Sequence, residues 1–130
     1  LAAALAAKHA SPEEIKVLYD MVQEDRKYLD NPRELSIANR RFHRQIHLAS
    51  RNRYLVLQLE MVHRSMALLA ETSLAADGRG EMALAEHLVL VQAIEAGNSV
   101  DADRLLKDHL SFAFQTRLKA DAGVVKSHNV

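Results

Sequence analysis

Cysteine is absent from this chain, and that absence excludes disulfides, thiolate nucleophiles and cysteine-type zinc sites. Only 4 glycines and 2 prolines occur among 130 residues, a scarcity that, with abundant Ala and Leu, favours helix over strand. Neither sign of charge is in surplus, because 17 basic and 17 acidic side chains cancel. A domain that grips nucleic acid by itself carries a basic excess, so this chain is a poor DNA binder alone. No apolar run approaches the roughly 18 residues of a membrane span. The opening LAAALAA is apolar but short, has no basic flank, and is soon followed by Lys8 and His9, unlike a signal peptide. The expected location is cytoplasmic, with no membrane partner.

What is present is ordinary for a single globular domain: 48% hydrophobic and 26% charged residues leave enough apolar surface for one core. The helix punctuation is legible. Residues 1 to 9 read as the end of a helix. Ser11, Pro12 and Glu14 then form an N-cap, a first helical position and a capping box, opening a second helix to about Leu29. Its inner face is Ile15, Leu18, Tyr19 and Val22. Asp30 or Asn31 caps a third helix from Pro32 to about Ser50. Asn52 caps a fourth from Arg53 to Ser73, with Leu55, Leu59, Val62, Met66 and Leu69 at core spacing. LAADGRGE, residues 74 to 81, is the clearest loop. A fifth helix runs to about Ala96 before Gly97. Asn98, with Asp101 three residues on, caps a sixth that reaches about Ala120. No stretch alternates like a strand. The expected fold is all-α, an antiparallel bundle of about six helices with short connections.

The third helix carries NRRFHRQIHLASRN, residues 39 to 52. His43 borders its Leu35–Ala38–Phe42–Ile46–Ala49 stripe. His87 shares a face with Leu84, Val91 and Ile94, and His109 lies among Leu105, Leu106, Phe112 and Ala113. Three histidines on three helices therefore point inward. Two readings stay open. Each imidazole is separately satisfied by a carbonyl or a water, since an unsatisfied buried polar group costs a few kcal/mol. Or one shared metal satisfies all three, as cofactor sites in helical bundles do. Imidazole suits zinc, the common default, as well as nickel, copper or iron. Asn39, one turn before His43, is the natural fourth member, either as a weak oxygen ligand or as a solvated amide. His47 falls on the more polar side with Arg40 and Arg51 and reads as surface or supporting. His63, between Leu59 and Met66, reads as a satisfied core-edge residue. His9 and His128 carry no signal.

In their order and spacing these residues resemble a family. Asn39-Arg-Arg-Phe42-His43, then Ala49-Ser50-Arg51-Asn52, then Glu86-His87 opening an apolar helix that ends at Gly97, then His109-Leu110, are similar to the FCD domain. That domain is the C-terminal ligand-binding part of FadR-type GntR transcription regulators. The resemblance covers nearly the whole chain. It implies a helical bundle around a central cavity, often with a divalent metal on an acidic residue and three histidines, receiving a small carboxylate effector. The ligands it implies here are Asn39, His43, His87 and His109. Arg64 is a further candidate for pairing the effector's carboxylate, a solvated arginine being the plain alternative. The resemblance also implies a homodimer that acts on DNA through a winged helix-turn-helix domain. The start at Leu rather than Met is what a segment of such a regulator would show, with residues 1–130 as its effector-binding and dimerisation domain and the DNA-binding domain outside it.

One position departs from the pattern. Asn39 stands where the family has Asp, and an amide in place of a carboxylate removes one negative charge from the ligand set. Metal affinity should fall. A bound cation would then keep its full charge and draw an anionic effector more strongly. Two other functions compete. A metal hydrolase would use an open metal position to activate water, with a positioned base beside it. Glu86 is about 100° around the helix from His87 and is poorly placed for that. The His-Asp pair of helical metal phosphohydrolases is reversed here, as Asp108-His109. A metal-free interaction module is the other alternative. The regulator reading is preferred, and the chain is expected not to be an enzyme.

Overall fold

Four of the helix starts are set by local hydrogen bonds that the sequence spells out. The computed structural model describes residues 1–75 and 78–123, without the side chains at positions 63, 65–73, 117, 120 and 121. It contains α1 (Ala2–His9), α2 (Pro12–Asp25), α3 (Pro32–Ala49), α4 (Arg53–Leu74), α5 (Arg79–Glu95) and α6 (Ser99–Asp121), with a short 3-10 turn at Arg26–Tyr28. Among the described residues there is no strand. Ser11 Oγ accepts from the Glu14 amide and Glu14 Oε1 accepts from the Ser11 amide, both at 3.1 Å, closing the capping box of α2. Asn31 Oδ1 accepts from the Glu34 amide at 3.2 Å, Asn52 Oδ1 from Leu55 at 3.0 Å, and Asn98 Oδ1 from Asp101 at 3.1 Å. Each cap is worth about 1 kcal/mol. Each also fixes where its helix begins, and so which residues face inward.

Two boundaries differ from expectation. Helix α2 stops at Asp25 rather than near Leu29. The chain tightens into i→i+3 bonds there, with Leu29 N–H donating to Arg26 C=O at 3.3 Å and Asn31 N–H to Tyr28 C=O at 2.9 Å. Asn31 then leaves the helical conformation, as the residue before a proline is driven to do. The expected loop at 74 to 81 is shorter than its composition implied. Gly78, at φ 71, already caps α5, so Arg79, Gly80 and Glu81 are helical. Residues 76 and 77 lie outside the described residues.

The main core draws Ala3 and Ala6 from α1, Leu18 and Val22 from α2, Phe42, Ile46 and Ala49 from α3, Leu90, Val91 and Ile94 from α5, and Ala102 and Leu106 from α6. Burying a large apolar side chain of this kind contributes about 1.5–3 kcal/mol. The expected stripes of α2, α3 and α5 face inward, most of them to this core, with Leu35 of α3 and Leu84 of α5 in a second, smaller cluster. Of the stripe expected on α4, the described side chains do not reach the main core. Leu55 and Leu59 are only half-buried and Val62 is 49% exposed, while the side chains of Met66 and Leu69 lie outside the described residues. The reason is position. Helix α4 packs against α3 and α6, and none of its described residues enters the main cluster, while its Leu74 joins the second one with Leu35, Ala83 and Leu84. The fold is an all-α helical bundle.

Candidate functional site

His43 comes from α3, His87 from α5 and His109 from α6. All three are buried, and one ring nitrogen from each lies within 4.8 Å of the others. His87 Nε2 and His109 Nε2 are 3.3 Å apart. The Phe42-His43 pair has two jobs at this point. His43 joins the cluster, and the Phe42 ring stacks on His87 with centroids 4.1 Å apart and planes 13° from parallel. A stacked ring restrains the imidazole's rotation, so its nitrogen stays aimed at its neighbours.

Around His109 lies a charged group. Glu86 Oε1 is 2.7 Å from His109 Nδ1 and also accepts from Arg79 Nη1 at 2.8 Å. The Arg79 guanidinium is almost completely buried and sits 4.9 Å from the Phe112 ring centroid, over its electron-rich face. Burial raises the Glu86 carboxyl, but hydrogen bonds from His109 and Arg79, and their charges, hold it below the ordinary glutamate value. It is therefore an ionised acceptor at neutral pH. Glu86 engages His109 at Nδ1, so Nε2 is the ring nitrogen that faces His87. His87 is pushed well below the usual histidine value, first by burial and then by His109 and Arg79, so it stays neutral.

This donor set fits a divalent metal. Three imidazoles converge, and the outer nitrogen of one is held by a carboxylate, the arrangement that orients a ligating histidine and raises its basicity. The charge near the rings is balanced, since the buried Arg79 cation is matched by Glu86.

The model of the FCD domain matches residues 1–112, from α1 to Phe112 in α6. The chain belongs to the FCD family. No curated protein and no solved structure matches it. FCD domains are ligand-sensing regulatory domains of GntR-type regulators rather than enzymes, and they often bind metal. No helix among the described residues is long and apolar enough to cross a membrane.

Within this FCD domain the expected residues fall into two places. His43, His87 and His109 come together. Asn39 is half-buried, one turn before His43 on α3. Arg64 is exposed on α4 and lines a pocket of about 290 Å³ with Arg40, Arg44, His47 and Glu60, a set that includes none of the three clustered histidines. His47, read as either surface or supporting, is buried at 4% exposure. Helix α4 lies over that flank of α3, and the Arg44–Glu60 ion pair at 3.0 Å ties the two helices together above it. The side chain of His63 lies outside the described residues.

Sequence reasoning missed two participants. Arg79 was assigned to a polar loop, but the early start of α5 carries it inward. Glu86 does diverge from His87 around α5, yet α6 brings His109 to it. A signal was available. Arg79 and Glu86 are seven apart, two helical turns, and so share one face of α5 if that helix begins at Gly78.

Proposed function

We propose that this FCD domain senses a small carboxylate effector through a divalent cation held by His43, His87 and His109, with Asn39 as a further donor. Zinc is the leading choice of cation, with nickel or another divalent ion as the alternative. The observation that carries this reading is the meeting of His87 Nε2 and His109 Nε2 at 3.3 Å beside His43, with Glu86 orienting His109. When bound, the cation supplies the positive charge that an effector carboxylate coordinates. The protein's own part is to hold three imidazoles in register, restrain His87 with the stacked Phe42 ring, and balance Arg79 with Glu86. Glu86 is engaged by two donors and is unavailable as a general base, which supports a sensor over a hydrolase.

Residues 1–130 serve as the effector-binding and dimerisation domain. Exposed Tyr54, Leu57 and Met61 along α4 support a homodimer through that helix. Effector binding shifts the relation between the two copies and thereby the DNA affinity of attached winged helix-turn-helix domains, in the cytoplasm. Arg64 keeps its part as a carboxylate partner at the pocket it lines. Elemental analysis of protein purified without added metal or chelator tests the reading. About one divalent ion per chain is expected, with thermal stabilisation by small carboxylic acids. Failure to retain any ion after adding it back would overturn it.

A further inference from the structure

The pocket between α3 and α4 is built on a different chemistry from the histidine cluster. Arg40, Arg44 and Arg64 bring three guanidinium groups to it, and Glu60 brings the single carboxylate. That carboxylate is engaged by Arg44 at 3.0 Å. Among the described residues, Arg64 has no ion-pair partner, and Nε of the half-buried Arg40 is shielded from solvent without a hydrogen-bond partner. The chain as a whole is neutral, with 17 acidic side chains, yet only one of them lines this pocket. Gathering like charges around one concavity is unfavourable by itself and produces a positive potential focused in the cleft.

We propose that this pocket is a metal-independent site for a small oxyanion carrying two charges, held by Arg40 and Arg64 with Arg44 beside them. Three guanidiniums against one carboxylate leave two positive charges to match. Guanidinium forks pair with carboxylate or phosphate oxygens through two parallel hydrogen bonds, and a shielded Arg40 Nε is a donor ready for such a bond. A volume of about 290 Å³ is at or below the lower end for drug-sized ligands, which favours a compact anion over a nucleotide. The shared chemistry is a divalent oxyanion, either a phosphate group or a dicarboxylate.

The test is titration calorimetry of the full chain with inorganic phosphate and, separately, with succinate, at constant ionic strength set by chloride. Each is run on metal-loaded and on chelator-treated protein. Saturable binding of at least one probe is expected in both metal states. The tighter probe identifies which kind of oxyanion the site prefers. Arg64→Gln, an exposed substitution that leaves the core untouched, should weaken binding about tenfold or more, the size of one charge-assisted contact. Adding Arg40→Gln should weaken it about tenfold again. Loss of binding on chelation would place the anion at the histidines and overturn the proposal. So would unchanged affinity in Arg64→Gln, or no saturable binding of either probe. Because metal content is varied independently, failure of this site and failure of the metal reading give different results.

Discussion

Two clusters of basic side chains share α3 and are finished differently. At the histidine cluster the buried charges are matched. Arg79 is buried but paired with Glu86, Glu86 in turn orients His109, and His87 is neutral. At the α3–α4 pocket three arginines face one carboxylate that is already engaged. The difference teaches what each place can hold. A balanced, buried set of imidazole nitrogens is a receptor for a cation, because the one cation beside it is already matched by Glu86 and one nitrogen of each ring converges. An unbalanced, open set of guanidiniums is a receptor for an anion.

The sharpest way to break this comparison is to remove a converging nitrogen. His87→Ala or His109→Ala should lower affinity for zinc by more than about 100-fold, beyond the 10–100-fold typical of losing an outer partner alone. Zinc retained after dialysis, measured by elemental analysis, checks it. Retention at the wild-type level in both variants would remove these residues from the site. The next largest effect tests the balance itself. Glu86→Gln keeps the shape but strips the charge that holds His109 Nδ1–H and neutralises Arg79. Zinc affinity should fall about 10–100-fold. Stability should fall by about 2 kcal/mol, mostly from a buried guanidinium left without its counter-charge. Denaturant unfolding with and without zinc separates the two losses. Because the Glu86 carboxyl is held below its ordinary value, its stabilisation is present above about pH 4.3 and lost as pH falls through the lower folded value.

Asn39→Asp sharpens the comparison in the other direction by adding a negative charge beside His43. Tighter zinc binding, by about tenfold, is expected together with weaker binding of carboxylic acids, because the cation's charge is then partly met by the protein. Competition with a chromophoric chelator reads the first, and thermal shift the second. No change in either would remove Asn39 from the ligand set. The smallest effect is on pH dependence. His87 must stay neutral when folded but takes up a proton near pH 6.5 when unfolded, so the unfolded chain binds more protons below that value. Metal-free protein should therefore lose stability as pH falls from about 6.5 towards 5.5. His87→Gln should flatten that slope in a melting series. An unchanged slope would assign the dependence elsewhere.

Much of this was legible along the chain for a simple reason. Caps such as Ser11 with Glu14, and Asn98 with Asp101, act over three residues, so their chemistry is complete in the sequence. The periodicity of Leu35, Ala38, Phe42, Ile46 and Ala49 likewise selects one helical face without help from elsewhere. His43, His87 and His109 could each be turned inward by that logic. The same logic failed on α4. Its apolar residues surround more of the helix than one neighbour can cover, and only packing decides that Val62 stays half in solvent. It could not choose for His47 between surface and supporting positions, which α4 decides by covering it, and it missed Arg79, whose burial depends on α5 starting at Gly78.

The sequence by itself determined an all-α chain with set helix starts and three inward imidazoles, because capping and amphipathic periodicity are local. Only the tertiary structure decided that those imidazoles meet, that Glu86 reaches His109 from a neighbouring helix, and that arginines from α3 and α4 share a pocket. Such meetings depend on how helices cross, and crossing is settled by the packing of whole faces rather than by any one stretch of residues.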